Sequence, residues 1–415
     1  MKFITFQKFS WNHILFLAFF IVSMCRRRTT DPLFVSNIQK SGYFFEIYVT
    51  ILSHFISIIP HIITKCLSKS VSSEEKSDKK KDNRFYYIYN DKDDYKGRGL
   101  YKSTFLASLF EFLAMALIFL FYFLNKEPEV VSIYVLNVYL IFNTVTLYII
   151  SYLVLKTYFY KHHYLSFLIN SVCILIVLIF DIIKIIQLDI EEYQYYIFVV
   201  LRIIRIILFC FGNCYSKIAL YSAFLSPYSL LLYKAIYETF FLLIFSIPFI
   251  FIKMSELYVE NGSIFIGFRE YLSGIKILYS IILFILDFLY DLVLLAIIDK
   301  FSPNHLALAH ILESFGSSIY SIIKNFIDEK ENSWSLYATL PIYIVLFIGA
   351  MIHNEIFIIN KWGLNLKTKL YLDSKFEEES LINDNVNEDI DEDDSNKKEN
   401  NEENKILMDD VSGKK

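Results

Sequence analysis

Residues 275–298 read IKILYSIILFILDFLYDLVLLAII, an apolar run with two aspartates, Asp287 and Asp291, near its centre. At a rise of 1.5 Å per residue, a helix of this length crosses the hydrocarbon core of a bilayer, which is about 30 Å thick. Backbone groups in lipid must satisfy one another, and the run lacks the alternating pattern of a barrel strand. We therefore predict a transmembrane helix.

Nine further apolar runs of similar kind lie along the chain. Hydrophobic residues make up 55% of the chain and charged residues 20%. Soluble domains have roughly 25% charged residues, so this chain is more apolar than they are. The sequence predicts an all-α, polytopic membrane bundle of about ten helices. The other predicted spans are 11–25, 42–64, 103–124, 130–155, 164–187, 194–216, 227–252, 303–326 and 336–359.

Two segments are charged instead of apolar. Residues 66–100 form a mixed-charge loop, and the tail beyond about residue 372 is acidic, so both are expected to be solvated and without a packed core. The first 25 residues resemble a secretory signal, but Arg26, Arg27 and Arg28 follow directly. An uncleaved first helix is the favoured interpretation, and a cleaved signal is the alternative.

Lysines and arginines concentrate in the 66–100 loop, which predicts that this loop is cytosolic. Ten spans then place both termini in the cytosol, and the three arginines after residue 25 conflict with that orientation. Asn261-Gly262-Ser263 is a glycosylation sequon, and this topology makes it lumenal. We expect an endomembrane, either Golgi or ER, or the plasma membrane.

Ten spans divide into five plus five, which predicts an inverted repeat because five is odd. Pro60 and Lys65 near the end of the second span match Pro248 and Lys253 near the end of the seventh, both pairs being 188 residues apart. The predicted units are a first half at 1–190, a second half at 191–360 and an acidic cytosolic tail at 361–415.

The layout resembles the drug/metabolite transporter superfamily, which includes the EamA-like and nucleotide-sugar transporters. The stretch SYLVLKTYFYK at 151–161 is similar to the end of the family's fourth helix, and Ser302-Pro303 with LALA at 306–309 is similar to its ninth. The resemblance implies an inverted repeat and alternating access around a site near mid-membrane. The chain departs from the family in having only 11 glycines.

Ionisable groups inside spans are the candidates for function, because each costs roughly 2.5–3.5 kcal/mol at the helix centre on insertion scales. Arg202 and Arg205 share a face of the sixth span. One hypothesis is a cationic site for an anionic or phosphate-bearing substrate. The alternatives are a structural partner for a buried carboxylate, with Asp287 and Asp291 as credible as Glu313 for that carboxylate, or a span that starts later.

A polar stripe marks the ninth span. Its residues recur at helical spacing and must face protein or a wet cavity; they are His310, Glu313, Ser314 and Ser317. Helix–helix hydrogen bonding is the alternative role. Asn143 and Thr144 are weaker cavity candidates, Lys234 and Glu238 are expected to neutralise one another, and His162-His163 is interpreted as a loop pair.

The leading functional hypothesis is a secondary transporter of a small polar metabolite, with the arginines favouring an anionic one. Its expected partners are the lipid bilayer and a small-molecule substrate. A membrane scaffold or receptor is the alternative. The sequence contains no HExxH, P-loop or DHHC set, so an enzyme is not expected. No CxxC or His/Cys cluster suggests a metal, no cofactor is predicted, and a net charge of −4 argues against nucleic acid.

Overall fold

The computed structural model describes residues 4–6, 14–34, 40–68, 98–124, 128–157, 159–188, 192–222, 225–251, 253–256, 259–263, 265, 268–327, 334–364 and 368. Most of the predicted charged loop and nearly all of the acidic tail lie outside these residues. The chain divides into two compact units, residues 8–354 and residues 1–7 together with 355–415.

The larger unit is built from helices. Their bounds are α1 Ile14–Phe34, α2 Lys40–Ser53, α3 Ile58–Ser68, α4 Arg98–Leu124, α5 Pro128–Leu155, α6 Lys161–Leu188, α7 Glu192–Ser222, α8 Pro227–Phe251, α9 Phe268–Tyr271, α10 Lys276–Lys300, α11 His305–Ile327 and α12 Trp334–His353. Each predicted span overlaps a helix. The all-α membrane class is confirmed at the level of five segments that, among the described residues, are long and apolar enough to cross, namely Gly42–Thr64, Val199–Tyr221, Pro227–Phe251, Lys276–Lys300 and His305–Ile327.

Two helix ends and one break stand out among the differences from the prediction. Helix α1 continues to Phe34, so Arg26 to Arg28 lie inside the helix and not after it. The last helix ends at His353 instead of residue 359. The second span is broken by a 3₁₀ turn at His54–Ser57 before α3 begins. Pro60 explains the break, because it has no N–H to donate to Ile56 and its ring crowds that carbonyl.

The helices pack in a pattern that repeats. We number the long helical segments 1 to 10 in chain order, taking α2, the 3₁₀ turn and α3 as segment 2 and omitting the short α9. Segment 1 packs on segments 8 and 9, as segment 6 packs on segments 3 and 4. Segment 2 packs on segment 8 as segment 7 packs on segment 3, and segment 4 packs on segment 5 as segment 9 packs on segment 10. The contacts therefore keep their pattern when the first and last five segments exchange.

An aromatic core joins α2, α4 and α8. The ring of Phe44 lies 4.9 Å from Phe119 and 5.3 Å from Phe249. Such pairs contribute about 0.5–1.5 kcal/mol each beyond the area they bury. The core fixes the three helices that carry much of the site described below. Its buried members are Phe44, Ile47, Ile51, Phe112, Ala116, Phe119, Leu242 and Phe249.

Helix α8 has its apolar side outward and its charged side inward. Phe240, Leu243 and Ile247 are exposed, whereas Lys234 and Glu238 are buried. A soluble helix would show the reverse, and in a bilayer this arrangement gives lipid the apolar face and keeps charge inside the bundle.

Two short antiparallel pairs of strands accompany the helices. In the smaller unit, β1 (Ile4–Phe6) pairs with β4 (Phe357–Ile359), with Ile4 opposite Ile359. Between α8 and α10, β2 (Lys253–Glu256) pairs with β3 (Val259–Ser263). The predicted sequon residue Asn261 lies on β3.

Candidate functional site

Eight ionisable side chains come together inside the larger unit, and we call them the central charged layer. They are Arg26, Glu46, His54, Glu111, Lys234, Glu238, Asp287 and Asp291. Glu111 is the middle residue of α4, and Glu238 and Asp287 stand next to the middle residues of α8 and α10. His54 is next to the middle of the span Gly42–Thr64. The layer thus lies halfway along the helices that carry it.

His54 bridges two carboxylates. Its Nδ1 is 3.0 Å from Glu238 Oε2, and its Nε2 is 2.9 Å from Asp291 Oδ2. The side chains of His54 and Glu238 are 3% and 0% exposed. The 3₁₀ turn starts at His54, where the two halves of segment 2 meet. The imidazole therefore ties the break in segment 2 to both α8 and α10.

The hydrogen bonds of this bridge require protons. An ionised carboxylate only accepts, so each of the two contacts needs a hydrogen either on the ring nitrogen or on the carboxyl oxygen. The three groups together therefore hold two protons. With both carboxylates ionised, the imidazole carries both and is a cation.

Arg26 is held by two carboxylates as well. Its Nε pairs with Asp287 Oδ1, and a terminal guanidinium nitrogen lies 3.0 Å from Glu46 Oε1. Thr50 Oγ1 donates to the other oxygen of Asp287 at 2.8 Å. The ring of Tyr290 is 5.5 Å from the guanidinium carbon. Both oxygens of Asp287 are thereby satisfied, which a fully buried carboxylate requires.

Lys234 forms its ion pair with Glu111 on α4. The i, i+4 spacing of Lys234 and Glu238 predicted that these two would neutralise one another; they do interact electrostatically, but the direct ion pair of Lys234 is with Glu111. Glu238 is bonded to His54 instead. Tertiary packing offers each group a partner on another helix, and this outcompetes the exposed-helix geometry for which the spacing rule holds.

Arg205 on α7, one of the predicted site residues, interacts with a carboxylate of the layer. It is partly buried and interacts electrostatically with Glu46. Arg202 is also partly buried on α7. The predicted carboxylate partners Asp287 and Asp291 are in the layer, but their contacts are with Arg26 and His54.

The stripe on α11 faces α1 and α7. His310 Nδ1 is 3.5 Å from Glu313 Oε2, and its ring meets the rings of Phe19 and Phe209 edge-on at 5.5 and 6.1 Å. Ser314 Oγ donates back to the carbonyl of His310. Ser317 accepts a hydrogen bond from Arg27, a residue that sequence reasoning had not linked to the stripe.

The weaker candidates have packing contacts. Asn143 Oδ1 accepts a hydrogen bond from Cys210 Sγ at 3.3 Å, which joins α5 to α7, and Thr144 is buried beside it. His162 and His163 belong to the first turn of α6 and not to a loop. The rings of His163 and His353 are 4.7 Å apart, so the pair packs against the end of α12.

Sequence reasoning missed four members of the layer: Arg26, Glu46, His54 and Glu111. Glu46, His54 and Glu111 lie within predicted spans, so the energetic rule that singled out Arg202 and Arg205 applied to them equally. Arg26 was missed because the first span was ended at residue 25.

Lys217 binds the carboxyl-terminal end of α10. Its Nζ donates to the carbonyls of Ile298, Asp299 and Phe301 at 2.8, 3.0 and 3.3 Å. The last carbonyls of a helix have no partner within the helix, and a cation there also complements the helix dipole. Lys217 on α7 therefore fixes the end of α10, which carries Asp287 and Asp291.

A scan against protein-family models finds no match to the chain, and a search of curated proteins finds no similar sequence. The resemblance to the drug/metabolite transporters stays a prediction.

Proposed function

We propose that the protein is a secondary transporter that moves a small polar metabolite across a membrane by alternating access. One observation carries the proposal. Charged side chains at the middle of apolar helices pair across the two sets of five segments, as Arg26 does with Asp287, Lys234 with Glu111, and His54 with Glu238 and Asp291.

A purely structural bundle has little use for such a layer. Each charge at mid-membrane costs about 2.5–3.5 kcal/mol on insertion scales. Replacing a buried ion pair by apolar side chains of similar volume is often neutral or stabilising. A scaffold would be at least as stable with leucines at these positions, so the charges favour a role in binding or movement.

The packing pattern supports two five-segment halves. The exchange of contacts between segments 1–5 and 6–10 is what a two-fold repeat produces, and five segments per half would make the repeat inverted. The proposed halves are residues 1–190 and 191–360.

The pairing of β1 with β4 supports an even number of crossings. These strands precede segment 1 and follow segment 10, and their hydrogen bonds require that both lie on one side of the membrane. Ten crossings satisfy this condition. With the basic loop in the cytosol, both ends of the chain are cytosolic in an endomembrane or the plasma membrane.

The break in segment 2 supports a site in the layer. Transporters of inverted-repeat folds place substrate and ion sites near the midplane where helices are discontinuous. His54 stands at such a discontinuity.

The charges of the layer bear on which substrates should be tested. The layer has five carboxylates, Glu46, Glu111, Glu238, Asp287 and Asp291. The cationic groups in contact or in electrostatic reach of them are Arg26, Lys234, Arg205 and a protonated His54. An anionic substrate has to compete with these carboxylates for the arginines, so a zwitterion or a cation belongs in the screen beside the anions.

Counterflow in liposomes tests the proposal. Full-length protein is reconstituted with an internal pool of nucleotide sugars, phosphate esters, amino acids or amines, and uptake of the same labelled compound is measured. We expect saturable uptake for one of these classes, with loss in Glu111→Gln and retention in Lys300→Met, a change at an exposed lysine. A monodisperse protein that is inert towards all four classes would favour the scaffold hypothesis.

A further inference from the structure

We infer that His54, held between Glu238 and Asp291, is the proton-binding site that couples transport to a proton gradient. This inference rests on the proposed function and adds the coupling ion and its residues.

The first step is the geometry of the bridge. His54 lies in the middle of segment 2. Its two acceptors are on different helices of the opposite half, Glu238 on α8 and Asp291 on α10. Two protons hold both contacts. If one proton leaves, one ring nitrogen presents a lone pair to a carboxylate oxygen, and that contact changes from attraction to repulsion.

The second step is a vacant acceptor beside the bridge. Glu238 Oε1 is buried and has no hydrogen-bond partner within the described part of the chain. Burying a carboxylate oxygen without a partner is unfavourable, and binding a proton there removes the charge that makes it so. An unshared carboxylate oxygen therefore lies beside the imidazole whose proton is to be released.

Charged groups of both signs surround the bridge. Lys234 lies one turn before Glu238 on α8, and Asp287 lies one turn before Asp291 on α10. Glu111 on α4 interacts electrostatically with both Glu238 and Asp291, and its ion pair is with Lys234. Arg26 from α1 acts on Asp291, and Glu46 beside it on α2 shares that arginine. These groups have partners of their own, whereas the bridge joins one base to two acids.

The transfer balances with water as the proton acceptor and needs no other reactant. The N–H bond of the His54 imidazolium breaks, and the proton passes to water on the open side of the transporter. The neutral ring keeps one carboxylate and releases the other, so the break in segment 2 is freed from α8 or from α10. Uptake of a proton from the opposite side restores both contacts.

Nitrogen-15 NMR of the histidine side chains tests the protonation state in full-length protein in nanodiscs. We record the spectrum at a pH about one unit above the ordinary histidine pKa of about 6.5. We expect the signal of one histidine with both ring nitrogens protonated. Its signal should be missing in His54→Gln and present in His61→Gln, the matched control whose Nδ1 meets only the hydroxyl of Ser229 at 2.9 Å. Glu238→Gln should convert it to a single-proton tautomer in a chain that keeps His54.

Transport supplies the second arm. A pH gradient should drive uptake of the counterflow substrate in the wild type and in His61→Gln, but not in His54→Gln. A His54 signal with one proton, unchanged in Glu238→Gln, would overturn the proton site. A doubly protonated His54 with transport indifferent to the gradient would overturn the coupling. Absence of any transport would reject the proposed function, while the NMR result still decides the site.

Discussion

The Nε2 atom of His54 lies 2.9 Å from Oδ2 of Asp291, although the two residues are 237 positions apart in the chain. The contact joins the broken middle of the second helical segment to the centre of the eighth. Because the same imidazole also meets Glu238 on the seventh, one side chain holds three segments together. Loss of any of these three groups should therefore affect all three segments.

Breaking the Arg26–Asp287 pair by removing one partner should be among the most destabilising single changes. Arg26→Ala leaves a fully buried carboxylate without its cation, and breaking such a pair costs about 3–5 kcal/mol. Arg28→Ala is the matched control, because Arg28 is exposed on the same helix and lies 3.5 Å over the Tyr320 ring. A contact of that kind is worth about 0.5–1 kcal/mol. Thermal unfolding in detergent, followed by size-exclusion chromatography, measures both. Equal losses in the two variants would contradict the assignment.

Removing both partners of the Lys234–Glu111 pair separates stability from function. Lys234→Met alone should cost about 3–5 kcal/mol, while Lys234→Met with Glu111→Met should be close to the wild type because no charge is left unpaired. Transport should stay absent in the double variant. Lys300→Met is the control, since the Lys300–Asp299 pair is 3.7 Å apart and 54% and 30% exposed, and such pairs are worth about 0–1 kcal/mol. A stable double variant that transports normally would remove the layer from the mechanism.

Lys217 should matter for stability more than for proton binding. Lys217→Met leaves carbonyls at the end of α10 without a donor, which costs about 1–3 kcal/mol for an unsatisfied buried group. Lys217→Arg keeps the positive charge and should recover part of the stability that Lys217→Met loses. Lys161→Met changes an exposed lysine and should have little effect on stability. The His54 NMR signal should be the same in all three. A lost signal in Lys217→Met would mean that the end of α10 controls the bridge.

The helical segments could be predicted because a bilayer leaves the backbone few choices. A long apolar run such as 275–298 has to be helix, and it is helix over Lys276–Lys300. The break at His54 was also within reach, since Pro60 lies four residues after Ile56 in a span that otherwise reads as continuous.

The partners of the charges could not be predicted from local sequence. Arg26 and Asp287 are 261 positions apart, and no periodicity links them. Which carboxylate meets which cation depends on how ten segments pack, and the same residues would pair differently in another arrangement. Arg202 and Arg205 were singled out for their depth, yet depth alone does not tell a binding group from one that neutralises a carboxylate.

The topology predicts modification of Asn261. This residue is on β3, between α8 and α10, and the proposed topology places it in the lumen. Expression in a eukaryotic cell should give a glycosidase-sensitive increase in mass that is lost in Asn261→Gln. Epitope tags at the two ends should both be reached by antibody once the plasma membrane alone is permeabilised, with internal membranes intact. One end on the lumenal side and the other in the cytosol would exclude the even number of crossings.

Arg205 gives the sharpest separation between binding and structure. If its guanidinium contacts an anionic substrate, Arg205→Ala should lower transport at unchanged protein abundance, and Arg205→Lys should recover only part of it because the bidentate fork is lost. Glu46→Gln removes the carboxylate that interacts with Arg205 and should then lower the KM for an anion. If Arg205 only neutralises Glu46, Arg205→Ala should lower abundance and leave activity per molecule intact. In that case Glu46→Gln combined with Arg205→Gln should restore part of the abundance, because it removes both charges of this pair while Arg26 loses only its contact with Glu46 and keeps Asp287.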